Sequence, residues 1–190
     1  MIYLTALQLS RAREALQHIP KAAPKAIAAA INRSADSAKT EAGRRAAENY
    51  NVLVRDVKST IHITKASAGS RQILSVVSSA GSRIPLIKFK VRPGGITSRA
   101  SPIIKVAVLK NGGAKAIPKA FITKGRSSGI INVMQRQTEE RYPIHIKYGP
   151  AIPEMIGNEK VKKFVESRAM SVLDDRVEHE ISRILRGVGL

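Results

Sequence analysis

The chain has 190 residues, 43% of them apolar, with aromatics at only 4% and neither Trp nor Cys. That length suits a single domain, 1–190, whose core is aliphatic. The apolar content excludes disorder by composition, and the lack of Cys excludes disulfides and thiolate metal sites. The formal net charge is +19, from 33 Lys+Arg against 14 Asp+Glu, and no acidic residue occurs between Asp56 and Glu139, where 15 basic residues lie. The part before that stretch sums to +4 and the part after it to zero, so the excess sits mid-chain. Uncompensated charge of this extent repels itself unless an anion or an acidic neighbour relieves it.

The first segment, 1–58, reads as helical. In TALQLSRAREALQHI, Leu7, Leu9, Ala12, Leu16 and Ile19 recur mostly at three- and four-residue spacing, with Thr5 or Ser10 as cap and Pro20 as terminator. The start, MIYLTALQLSRAREALQHIP, is broken by Arg11, Arg13 and Glu14 and reads as no signal peptide. No run approaches the roughly 20 apolar residues of a membrane helix. KAAPKAIAAAINRSADSAKTEAGRRAAENY predicts a second, Ala-rich helix with Pro24 in its first turn. Its small residues suit close packing, either on the chain's own sheet or on another subunit. NVLVRDVKSTI fits a short third helix with Asn51 as N-cap, or the start of a strand.

From about residue 60 to 150 the period changes to two. IHITKA, RQILSVVSS, IPLIKFKVRP, IIKVAVLK, KAFITK with INVMQRQ, and YPIHIKYGP predict about six short strands. NGG and the GRSSG turn punctuate them. In IPLIKFKVRP the alternation places Phe89 and Val91 on one side and Lys88, Lys90 and Arg92 on the other. VRPGGITSRASP, 91–102, reads as a flexible loop. The last part, 151–190, predicts a long helix starting at Gly157 or Asn158, with Glu159 in its first turn and an apolar stripe from Val161 to Leu185. The fold class is α+β: an antiparallel sheet or small barrel with N-terminal Ala-rich helices and a C-terminal helix.

Catalytic patterns are missing. His18, His62, His145 and His179 do not fall at metal-ligand spacing, and His62 and His145 each alternate with Ile as solvent-facing strand residues. Glu139 and Glu140 sit in a turn beside Arg141, where local ion pairs are expected. GGAKAIPK lacks the GK[ST] ending of a phosphate loop, and no GxSxG elbow occurs. The expectation is no enzyme, no metal and no cofactor. Charge alone suffices for salt-sensitive, sequence-nonspecific contact with nucleic acid, since Phe89, Phe121, Tyr142 and Tyr148 do not alternate as base-stacking platforms do.

Taken together, AAINRSADSA, then IPKAFITKGRSSGIINVMQRQTEERYPIHIKYGPAIPEM, resemble the minor tail protein Z family of long-tailed bacteriophages and prophages. The resemblance rests on Ala120-Phe121-Ile122, a Gly turn, Val133-Met134-Gln135-Arg136, Arg141-Tyr142-Pro143-Ile144 and a proline-bearing lead into a last helix, in that order. It spans nearly the whole chain. The loop 91–102 departs most, since other members can carry a denser Arg/Lys run there.

The resemblance implies a virion protein of the tail or neck, assembled in the host cytoplasm and acting at the head–tail junction. It implies a ring around the DNA channel, on the order of six or twelve copies. Tail terminator, tail tube or head-connector proteins would be its neighbours. Val133, Met134, Gln135, Arg136, Arg141 and Tyr142 would then serve as subunit contacts, or simply as a hairpin packed in its own sheet. Lys88, Lys90, Arg92, Arg99, Lys105 and Lys110 would meet either the genomic DNA end or acidic partner surfaces. A free-standing, sequence-nonspecific DNA- or RNA-binding protein is the alternative.

Overall fold

Two long antiparallel helices carry the molecule. The computed structural model describes residues 6–19, 22–96, 103–125 and 129–187. Its elements run α1 (Ala6–Ala15), α2 (Ala22–Asn49), α3 (Val54–Ser59), β1 (Ile61–Thr64), β2 (Val76–Ser79), β3 (Arg83–Pro85), a 3-10 turn at Leu86–Lys88, β4 (Lys90–Arg92), β5 (Ile104–Ala107), β6 (Lys115–Ile117), β7 (Ala120–Lys124), β8 (Ile131–Arg136), β9 (Ile144–Ile146), β10 (Tyr148–Ala151), α4 (Ile152–Gly157) and α5 (Glu159–Gly187).

The Ala stripe of α2 faces α5. Ala22 and Ala26 lie with Ile181, Ile184 and Leu185, Ala30 with Leu173 and Val177, and Ala42 and Ala46 with Val165. The small side chains let the two helices approach closely. Ser34 uses that proximity, donating its hydroxyl to the Ala169 carbonyl at 2.6 Å. The partner of the Ala-rich helix is therefore chiefly α5 of the same chain. Helix α1 adds Ala12 and Leu16 to this layer.

Ten short strands form four small antiparallel sheets among the described residues, ordered β1-β2, β10-β3, β4-β5-β6 and β7-β8-β9. The α+β class holds. The strands are shorter and more numerous than the alternation suggests, and none of the sheets closes into a barrel. Two interruptions account for the difference. IPLIKFKVRP is broken by the 3-10 turn, because the Leu86 N–H is taken by the Lys147 carbonyl at 2.9 Å and the Phe89 N–H folds back to the Leu86 carbonyl at 3.0 Å. YPIHIKYGP changes sheets at Lys147, whose N–H bonds the Val133 carbonyl at 2.9 Å. β9 therefore pairs with β8, and β10 with β3.

The two three-stranded sheets and the 3-10 turn share one core of Leu86, Phe89, Ile104, Val106, Ala120, Ile122 and Val133, closed by Tyr50 and by Met155 of α4. Gly149 lies against Phe89 so closely that a Cβ there would stand 2.7 Å from the ring. β7 and β8 pair as a hairpin, as expected, although residues 126–128 of the turn lie outside the described residues. Gly129, at φ +64, donates to the Gly125 carbonyl, a conformation that favours glycine.

Several cap assignments change. Ser10 lies inside α1, and Thr5 lies outside the described residues. Leu53, not Asn51, occupies the N-cap of α3. Asn158 caps α5 as expected, accepting from the Lys160 N–H at 3.1 Å. Helix α4 escapes the periodicity reading because six residues carry too few turns to show a repeat. It is started by Pro153 and by Glu154, which accepts the Ala151 N–H at 3.1 Å.

Candidate anion-binding groove

The register of the β4-β5-β6 sheet sorts charge from core. Lys90 opposes Ala107, Val91 opposes Val106, and Arg92 opposes Lys105. Opposed residues share a face, so Lys90, Arg92 and Lys105 lie on the outer side while Phe89, Val91, Ile104 and Val106 turn inward. The inward alternation of Phe89 and Val91 is as the sequence suggests.

On the outer side a groove of about 500 Å³ is lined by Asn51, Lys90, Arg92, Lys110, Gly113 and Ala114, with Ala107 beneath. Asn51 builds its wall. Its N–H bonds the Val108 carbonyl at 2.9 Å, and its side-chain amide donates to the Ala107 and Leu109 carbonyls at 2.9 and 3.3 Å. The Lys110 N–H bonds the Asn49 carbonyl at 2.9 Å. The C-terminus of α2 thus fixes where Lys110 leaves the turn. Gly113, at φ +67, permits the chain to double back into β6.

Among the described residues no carboxylate lines the groove, and Lys90, Arg92, Lys105 and Lys110 have no ion-pair partner. The acids of α2 are used locally. Glu41 is buried and holds Arg44 and Arg45 at 2.9 and 2.7 Å. The Arg44 hydrogen bond, aided by Arg45, keeps its carboxyl below the usual value of 4.5 against the opposing effect of burial. Arg45 also lies 4.1 Å from the centre of the Phe164 ring, linking α2 to α5.

The six cationic positions singled out by sequence therefore separate. Lys90, Arg92 and Lys110 meet in one groove, and Lys105 shares their face. Lys88 does not join them. The 3-10 turn carries it to another hollow of about 310 Å³, lined also by Asp56, Ser82 and Arg83. Arg99 lies outside the described residues. The sequence reading misses Asn51 as the organiser of the wall, since an Asn following a helix looks like a cap for the next one.

The hairpin positions separate as well. Val133 is 0% exposed and belongs to the core, so it has no surface to offer another subunit. Met134 is half-buried between its register partners Phe121 and Ile146. Gln135 donates to the Pro118 carbonyl at 2.7 Å. Arg136 is exposed and lies over the Phe121 ring at 4.8 Å, and Arg141 lies over Tyr142 at 5.8 Å. Tyr142 is 59% exposed. Glu139 pairs with Lys119 at 3.4 Å and not with Arg141, because the β8–β9 turn leans over the start of β7. His62 and His145 are exposed, as expected. Among the described residues no cluster of metal-ligating side chains occurs, and no helix is long and apolar enough to cross a membrane.

The family model of the prophage minor tail protein Z (GPZ) matches residues 8–188. The chain belongs to the prophage minor tail protein Z family. It is accordingly a structural component of a phage tail. In this minor tail protein the match takes in both long helices, all ten strands and the groove. Comparison with curated proteins and with solved structures gives no match.

Proposed function

We propose that the protein completes the tail where it meets the head, as a ring of identical copies, on the order of six or twelve, around the DNA channel. Its work is assembly and binding, without catalysis. The neighbours are the tail terminator, tail tube or head connector. The observation that carries the reading is the cationic face of β4 and β5, whose Lys90, Arg92 and Lys105 have no ion-pair partner among the described residues. A surface that concentrates like charge is stabilised by a polyanion, and ring symmetry multiplies its field toward the lumen. The exposed Arg136, Arg141 and Tyr142 are side chains of the kinds enriched where subunits meet.

Negative-stain imaging of the purified protein, alone and mixed with tails, tests this. Rings at one tip of the tail are the expected result. A monodisperse monomer that ignores tails overturns the proposal and favours a free-standing nucleic-acid-binding protein, the reading that the groove's charge would otherwise support.

A further inference from the structure

The groove has features that a general basic surface lacks. Its donors come from two elements: Lys90 and Arg92 from β4, and Lys110 with the turn at Gly113 and Ala114 from the β5–β6 connection, while Asn51 spends its amide on the Ala107 and Leu109 carbonyls and serves only as wall. The main-chain N–H groups of Gly113 and Ala114, which line the groove, donate to no acceptor among the described residues. A carboxylate is planar and takes its donors along one edge. A phosphate is tetrahedral and takes them from several sides, and Arg can clasp two of its oxygens at once.

Among the described residues no aromatic side chain lines the groove. Phe89 points inward to the core, and Tyr50 is buried there too. Splayed bases therefore have nothing to stack on, which disfavours single strands. The groove is also formed by a sheet face, with no helix to enter a major groove and read base edges.

We infer that this groove is a site for the phosphodiester backbone of duplex DNA, with Arg92 as the two-oxygen clasp and Lys90 and Lys110 as flanking charges. The inference rests on the tail reading only for the source of the duplex; its chemistry stands on the groove. Binding is indifferent to sequence and steeply dependent on salt, because each phosphate contact releases about 0.9 counterion.

The test is fluorescence anisotropy with a short labelled duplex of mixed sequence, titrated against the full chain over a range of salt. Arg92→Ala and Lys110→Ala are each expected to flatten the slope of log affinity on log salt by about one. Arg92→Lys is expected to weaken binding several-fold with the slope unchanged, since charge stays and the clasp goes. Lys160→Ala, an exposed residue of α5, is expected to leave both unchanged. Circular dichroism confirms that each variant is folded. An unchanged slope in the groove variants, or an equal loss in Lys160→Ala, overturns the site. Competition by poly-glutamate as strong as by unlabelled duplex also overturns it and assigns the groove to an acidic protein. Imaging with tails reads the other proposal separately: rings on tails with unaltered slopes sink the groove alone, whereas full groove behaviour without tail attachment sinks the tail position alone.

Discussion

Asn32 and Ala66 exchange two hydrogen bonds: the Asn32 amide donates to the Ala66 carbonyl at 2.9 Å, and the Ala66 N–H donates to Asn32 Oδ1 at 2.7 Å. The side chain thereby imitates a strand partner and pins the β1–β2 connection to α2.

Replacing Asn32 with Ala leaves both groups of Ala66, which is 8% exposed, without partners. A loss of about 1–3 kcal/mol is expected, read as a lower urea midpoint. Hydrogen exchange should show faster opening at Ala66 than in the β7–β8 hairpin.

Gly149→Ala places a methyl group 2.7 Å from Phe89 Cε2 and 3.3 Å from Leu86 Cδ2. Overpacking of this kind costs about 1–3 kcal/mol. Thermal unfolding should show it, and Phe89→Leu in the same chain should recover part of the loss by vacating the ring's space.

Glu41 sets an acid limit. Its folded carboxyl titrates below 4.5 because of the Arg44 and Arg45 hydrogen bonds. The stability it contributes is therefore complete above that value and fades as pH falls through the folded one. Glu41→Gln is expected to lower stability at neutral pH by about 1–2 kcal/mol and to flatten the decline below pH 4.5, both measured by urea titration across pH.

Val133 and Tyr142 should behave oppositely although both belong to the family signature. Val133→Ala opens a void in the core shared by the two sheets and should cost about 1–3 kcal/mol. Tyr142→Ala alters an exposed ring and should change stability by less than about 0.5 kcal/mol, while reducing ring formation on tails. Unfolding curves beside negative-stain counts separate the two effects.

Asn51→Ala tests the wall of the groove. The three cations remain, so the salt slope for duplex binding should hold. Affinity should nevertheless drop several-fold, because the Ala107 and Leu109 carbonyls, next to Lys110, lose their anchor to the side-chain amide.

These positions show where local pattern stops being informative. The helical period of α5, its start at Asn158, and the β7–β8–β9 meander are local, and the sequence displays them. The break at Leu86–Lys88 depends on a carbonyl at Lys147, far along the chain, so strand alternation continues through it without a mark. The charge count finds Lys90, Arg92 and Lys110 because charge accumulates along the chain. It also includes Lys88, because only the folded backbone turns that side chain to another hollow. Val133 looks like a contact by belonging to a motif, yet a buried core residue recurs in a motif for the same reason as an exposed one: its neighbours fix its size.

A sheet face on which Lys90, Arg92 and Lys105 stand together has a practical consequence in the test tube. Among the described residues no carboxylate pairs with those cations, so host RNA and DNA fragments will accompany the protein out of a lysate unless concentrated salt displaces them. With four Tyr and no Trp the polypeptide absorbs ultraviolet light weakly. Even a small nucleic-acid contaminant will therefore dominate the spectrum, and an absorbance ratio taken before and after a high-salt wash becomes the first reading of what that face prefers.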